Sequence, residues 1–221
     1  MSRNEVAQRL REWYETRGWT AFPFQRAVWK AALKGESGLL HANTGASKTF
    51  AVWFAALQRA GLDKGRAEAG LRVLWITPMR ALAADTQRAL EDSAAELLPE
   101  WRIGARTGDT KTAERARQTR SMPAALVTTP ESLTLMISNA AAHEQFRPLD
   151  MIIVDEWHEL MGSKRGVQVQ LALARLRRWR PELLVWGVSA TMGNLALARQ
   201  VLLGSDSGVL VEGDTRKKIV V

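Results

Sequence analysis

The chain has 221 residues, with 46% hydrophobic and 24% charged content, so it is long enough for one full domain and is not disordered by default. It has no cysteine and only three histidines (His41, His143, His158), which excludes disulfide frameworks, cysteine-ligated zinc and thiol nucleophiles and leaves little room for a multi-histidine metal site. An excess of 31 Lys+Arg over 23 Asp+Glu gives a net charge of +8 and points to a polyanionic partner.

Residues 4–16 place Val6, Leu10 and Trp13 on one helical face, with Asn4 able to cap and Gly18 to end the helix. A second helix runs from Phe24 to Leu33, burying Phe24, Val28 and Ala31 or Ala32, and Gly35 stops it. Apolar strands then follow at 38–42, 72–77, 102–106, 124–128, 149–155, 183–189 and 208–211. Helical patterns at 48–60, 80–97, 110–119, 130–137, 166–179 and 194–203 separate them, and 61–71 and 138–148 read as loops. Strands alternating with helices imply βα units around a parallel sheet, and continuous runs such as MIIV and LLVW imply strands buried on both faces. The expected fold is therefore a single α/β domain behind a helical N-terminal preface. No apolar run reaches the ~20 residues of a membrane span, and the charged N-terminus has no apolar signal core, so no membrane partner and a cytoplasmic location are expected.

Residues 38–50 read GLLHANTGASKTF, a strand running into NTGASKT and then an apolar helix. In that context backbone N–H groups of Thr44, Gly45, Ala46, Ser47, Lys48 and Thr49 wrap phosphates at a helix N-terminus. Lys48 neutralises the outer phosphate oxygens and Thr49 places a hydroxyl on Mg²⁺. The usual glycine before the lysine is replaced by Ser47, whose Cβ is expected to crowd the phosphates. A second motif, LDMIIVDEWHE at 149–159, ends a buried strand in Asp155–Glu156 at the crevice edge of the sheet. Asp155 is expected to hold Mg²⁺ through water and Glu156 to orient and polarise the attacking water; taken alone, the pair reads equally as the acidic first turn of the next helix.

Read together, these motifs resemble a superfamily 2 helicase of the DExH type, over essentially the whole chain as its first RecA-like, P-loop NTPase domain. The resemblance assigns 1–36 to a helical segment with a glutamine motif and 37–221 to the ATP-binding domain. It places Gln25 of FPFQ on the adenine edge, with Phe22 or Trp19 near the base. It implies nucleic-acid contacts from Pro78 and Arg80 in TPMRAL, from Thr107, Gly108 and Asp109 in TGDT, and from Thr129, Pro130 and Glu131 in TTPES. His158, Ser189 and Thr191 would couple the nucleotide state to movement, the last two within SAT. Taken singly, these smaller motifs read as turns, caps or surface residues; their order along one βα series carries the resemblance. DEWHELMGSKRG and WGVSATMGN are similar to the bacterial ligase-associated DExH helicases, relatives of the large helicase-related (Lhr) proteins. That implies ATP and Mg²⁺ as cofactors, 3′ to 5′ movement on single-stranded DNA in repair, and a nucleoid-associated location. The implied partners are a second RecA-like domain in the same full-length chain, an ATP-dependent DNA ligase and a metallo-exonuclease.

The positive charge is uneven. Residues 102–120 carry six basic and two acidic side chains, and 163–180 carry six basic and none. The tail adds Arg216, Lys217 and Lys218. The helix at 166–179 is expected to bury Val167, Leu171, Ala174 and Leu176, leaving Arg177, Arg178 and Arg180 as a solvated face. Of the nine tryptophans, Trp13, Trp29, Trp53, Trp75 and Trp186 read as packing residues, and Trp157 as packing behind the DExH box. Two other classes stay open: a nucleotide-dependent nucleic-acid-binding module without motor activity, suggested by Ser47, and a translocase subunit of a restriction or remodelling enzyme. The preference for DNA over RNA comes from the resemblance alone.

Overall fold

The computed structural model describes residues 3–43, 45–60 and 70–213. Thr44, the expected loop over 61–69 and the basic residues at 216–218 lie outside the described residues. Seven parallel strands form one sheet: β1 (Gly38–Ala42), β2 (Val73–Ile76), β3 (Ile103–Arg106), β4 (Ala125–Thr128), β5 (Met151–Val154), β6 (Leu184–Ser189) and β7 (Val209–Gly213). Their order is β3-β4-β2-β5-β6-β1-β7. The helices are α1 (Arg3–Glu15), α2 (Pro23–Leu33), α3 (Gly45–Ala60), α4 (Arg80–Leu97), α5 (Thr112–Arg120), α6 (Pro130–Ile137), α7 (Ala142–Phe146), α8 (Trp157–Leu160), α9 (Lys164–Trp179) and α10 (Leu195–Leu203).

Strand alternation divides the core into two layers. Leu40, Trp75, Val127, Ile153 and Trp186 face one side, where they pack with Val6, Leu10 and Trp13 of α1, Phe24 and Val28 of α2, Trp53 and Phe54 of α3, and Leu90 and Leu97 of α4. Leu39, Leu74, Ile76, Leu126, Ile152 and Val154 face the other, against Leu133 of α6, Val169 and Leu173 of α9, and Leu202 of α10. Strands β2, β4, β5 and β6 are buried along their whole length, as their unbroken apolar runs require.

All seven expected strands are present, and the helical preface ends at Gly18 and Gly35, both at positive φ. Four expectations need correction. Asn4 lies inside the first turn of α1 rather than before it. The expected loop at 138–148 contains α7, whose Ala142 and Phe146 are buried in the second core layer. Helix α9 turns a different stripe inward: Val169, Ala172, Leu173 and Leu176 are buried, whereas Val167 and Leu171 are 52% and 67% exposed. Its apolar residues offer two overlapping stripes, and packing against α6 and the sheet selects one. The solvated face expected for its arginines is also incomplete. Arg180 is buried with its guanidinium 2.7 Å from Glu182 and 3.7 Å from Asp150, and Arg177 donates to the Leu203 carbonyl. Of Arg177, Arg178 and Arg180, only Arg178 is exposed.

The tryptophans build the core and also satisfy polar groups there. Trp53 donates to Ser93 Oγ at 2.9 Å, Trp186 to the Glu36 carbonyl at 3.0 Å, and Trp157 to the Ala198 carbonyl at 3.0 Å. Buried indoles usually find such a partner; the Trp13 Nε1 is the exception among the described residues, buried with none.

Candidate active site and nucleic-acid face

The loops that leave the carboxyl ends of the strands define one edge of the sheet, where ligands bind in open α/β folds. The loops after β1, β5 and β6 lie on one half of that edge, and the loops after β2, β4 and β3 lie on the other.

On the first half, β1 runs through Asn43 into the first turn of α3, which carries Ser47, Lys48 and Thr49. Lys48 is 5% exposed, and its charge is felt at Asp155. The Ser47 carbonyl accepts from Gln25 Nε2 at 2.9 Å, so the glutamine turn is tied directly to the phosphate loop. Gln25 is itself buried, and its Oε1 accepts from the Phe22 backbone N–H (2.8 Å) and from the Tyr14 hydroxyl (3.1 Å). Burial pushes the Tyr14 hydroxyl up to about 12, with the Gln25 bond pulling weakly the other way, so it stays a donor. Tyr14, Trp19, Phe22, Gln25, Ser47 and Phe50 line a cavity of about 450 Å³. Trp19 and Phe22 stand exposed at its rim, 53% and 43%, where a planar base could lie against them.

Asp155 and Glu156 follow β5, with the Asp155 amide bonded to the Ile76 carbonyl of β2. The Asp155 carboxylate accepts from the Glu156 amide (2.9 Å) and from Trp75 Nε1 (3.2 Å). Burial, reinforced by the adjacent Glu156, raises its pKa from 3.8 to about 6, against the opposing pull of those two donors and of Lys48. A carboxylate so short of positive charge suits a cation; Thr49, the other expected ligand, is half-buried in α3. Among the described residues no cluster of three or more His, Asp or Glu could hold a metal by itself. Mg²⁺ takes one or two protein oxygens and completes its shell with phosphates and water.

Glu156 has φ 45° and ψ 47°, the only non-glycine residue at positive φ among those described. That left-handed residue is the N-cap of α8. Its Oε2 is buried with no hydrogen bond and lies 3.3 Å from His158 Nδ1. The same nitrogen is 3.3 Å from Ser189 Oγ at the end of β6. His158 thus links Glu156 to Ser189. Thr191 lies exposed in the groove beside Trp157 and His158 rather than in that contact chain.

On the second half, Pro78, Thr107, Thr129 and Pro130 are buried framework. Thr129 caps α6 through the Ser132 amide, and Thr128 Oγ1 donates to the Arg106 carbonyl at 2.7 Å. Arg80, Gly108, Asp109 and Glu131 are exposed. The two acids clip arginines: Asp109 accepts from Arg80 at 2.8 Å, and Glu131 takes Arg165 in two contacts of 2.6 and 3.2 Å. Arg115 fixes the intervening loop by donating to the Thr107 and Gly108 carbonyls at 3.1 and 2.8 Å. Arg165, Arg115 and the indole N–H of Trp75 join the site without being expected there, Trp75 having been expected only to pack. Arg165 stands in the quoted SKRG run, but the Trp75 contact carries no sequence signal.

A DEAD/DEAH box helicase family match covers residues 22–198. The chain belongs to this family. As a helicase domain it is 32% identical over 231 residues to the ATP-dependent helicase Lhr-Core protein 2 of Thermococcus barophilus, covering 96% of this chain and 27% of that protein. It is 39% identical over 168 residues to the Lhr helicase/uracil glycosylase of Escherichia coli, covering 69% and 11% of the two chains. The structure of Mycobacterium smegmatis helicase Lhr bound to ssDNA and AMP-PNP superposes with a TM-score of 0.80 at 32% identity, over 92% of this chain and 27% of that one. The chain therefore spans between 11% and 27% of the length of these Lhr relatives. The expected RecA-like fold and Lhr kinship are both met. No described helix is long and apolar enough to cross a membrane.

Proposed function

We propose that this domain binds ATP and Mg²⁺ and drives 3′ to 5′ movement on single-stranded DNA, within a longer helicase that supplies a second RecA-like domain. Residues 1–36 contribute the glutamine motif and 37–221 the motor. The observation that carries this reading is Glu156, a half-buried carboxylate whose inner oxygen makes no hydrogen bond and faces His158, fixed by a left-handed backbone beside a cation-deficient Asp155.

In this reading the base lies against Trp19 and Phe22 beside Gln25, and the first turn of α3, with Thr44, Gly45 and Ala46, cradles the phosphates. Lys48 neutralises the outer phosphate oxygens. Thr49 and Asp155 would hold Mg²⁺, which supplies charge neutralisation between the outer phosphates. Glu156 orients a water in line with the terminal phosphorus and accepts its proton. His158, Ser189 and Thr191 pass the change toward the second domain, whose arginines complete the cleft. Arg80 contacts nucleic-acid phosphates from the second half of the edge, on a loop framed by Pro78, Thr107 and Gly108, with Asp109 and Glu131 orienting the arginines and Thr129 and Pro130 shaping the third loop. DNA repair, alongside an ATP-dependent DNA ligase and a metallo-exonuclease in a bacterial nucleoid, is the setting this reading favours.

The test is ATP hydrolysis by the full-length polypeptide with and without single-stranded DNA or RNA, and unwinding of 3′- and 5′-tailed duplexes. DNA-stimulated turnover and unwinding of the 3′-tailed substrate are expected. Nucleotide binding without stimulated hydrolysis would instead favour a binding module.

A further inference from the structure

Helix α9 begins in an unusually tight junction with α8. Ser163 donates to the Leu160 carbonyl through both its amide (3.0 Å) and its hydroxyl (2.7 Å), and its hydroxyl accepts from the Gly166 amide at 3.1 Å. A Cβ on Gly166 would lie 2.1 Å from the Leu160 oxygen, so only glycine lets the two backbones approach this closely. Upstream, the Glu159 amide bonds to the Glu156 carbonyl at 2.8 Å and the Met161 amide to the Trp157 carbonyl at 2.9 Å. The stretch from Glu156 to Gly166 is thus braced at each turn. Glu131 is held as firmly on its own side, on a helix capped by Thr129 and a strand end locked to Arg106. Between the two braced units, Arg165 and Glu131 form a two-point side-chain joint.

We propose that Arg165 is a positioning residue that joins the 128–132 loop to the Asp155–His158 segment, so that nucleic acid seated on that loop raises the rate of water activation at Glu156. The inference rests on the motor reading above. The joint has side chains 38% and 51% exposed, and such pairs contribute little to folding, so its role is not to hold the fold. Arg165 lies next to Gly166, where a shift of α9 is delivered without slack to the Leu160 carbonyl and α8. Nucleic acid that shifts the 128–132 loop moves Glu131, and the two-contact pair carries that movement to Arg165 and the start of α9. Coupling of this kind changes turnover more than affinity.

The experiment uses the full-length polypeptide with Arg165→Gln, Glu131→Gln, the double variant, and the swap Glu131→Arg with Arg165→Glu. Each is measured for single-stranded DNA affinity, stimulated turnover and thermal midpoint. Arg165→Gln is expected to lower DNA-stimulated turnover about tenfold while DNA affinity changes less than about threefold. Glu131→Gln should match it, the double variant should be no worse, and the swap should restore turnover. Unchanged turnover, additive losses, or a loss mainly of DNA affinity would overturn the proposal, the last making Arg165 a simple phosphate ligand. If the unsubstituted protein shows no DNA stimulation, the motor reading itself fails. If it is stimulated and Arg165→Gln behaves alike, only this inference fails.

Discussion

Replacing Asp155 with asparagine should stabilise the domain in the absence of nucleotide and Mg²⁺. Its carboxyl is raised from 3.8 to about 6 by burial and by Glu156. A group whose folded pKa is raised binds its proton more tightly when folded, so stability is lost as pH rises from about 4 to 6 and stays lost above that. At pH 7.5 the shift of roughly two units corresponds to about 3 kcal/mol of penalty. Asparagine removes the charge but keeps one acceptor for the two donors, the Glu156 amide and Trp75, which costs about 1 kcal/mol. A net gain of about 2 kcal/mol, or roughly 4–8 °C in Tm, should appear in EDTA at pH 7.5. At pH 5 much of the native carboxyl is protonated, and the gain should fall by about 1.4 kcal/mol. Urea denaturation at both pH values measures this. A destabilised variant, or a gain independent of pH, would refute the assignment of Asp155 as a carboxylate short of counter-charge.

Three further outcomes follow from the geometry. Glu156→Gln should lower stimulated ATP turnover by about 10²–10⁴-fold with nucleotide affinity nearly unchanged, read in steady-state hydrolysis and fluorescent-nucleotide titration. Gly166→Ala should destabilise by about 1–3 kcal/mol, because the new Cβ meets the fixed Leu160 carbonyl 2.1 Å away and α9 must lift; thermal denaturation tests this. Tyr14→Phe removes the hydroxyl that fixes Gln25, at about 1 kcal/mol, and should weaken nucleotide binding a few-fold in the same fluorescence titration, an effect flat up to pH 9 because Tyr14 titrates near 12.

The sheet was legible because each strand is a short apolar run before a turn signal, and a strand buried on both faces needs no alternation to be found. The phosphate loop and Asp155–Glu156 were legible because their chemistry demands particular residue types at strand ends. Other features depend on packing between distant segments. Nothing in the spacing of α9 says that Val169 and Leu173, rather than Val167 and Leu171, face inward, since both pairs lie four apart. Phe146 anchors α7 by packing into the second core layer beside residues distant in sequence. Asp109 and Glu131 read as nucleic-acid residues by position, yet each spends its charge on an arginine from another segment, a pairing visible only in three dimensions. Trp75 was correctly placed in the core, but its bond to Asp155 spans adjacent strands.

The two neighbouring residues at the end of β5 set thermostability against activity. Asp155 is a buried charge and Glu156 a side-chain-bearing residue in a backbone conformation natural to glycine. At both positions the substitution that relaxes the fold, asparagine at one and glycine at the other, deletes a group the chemistry uses. A laboratory selection for heat resistance alone would therefore drift toward well-folded, inert proteins, with these two codons among the first to change. Any stabilised version of this domain should have positions 155 and 156 sequenced before its activity is interpreted.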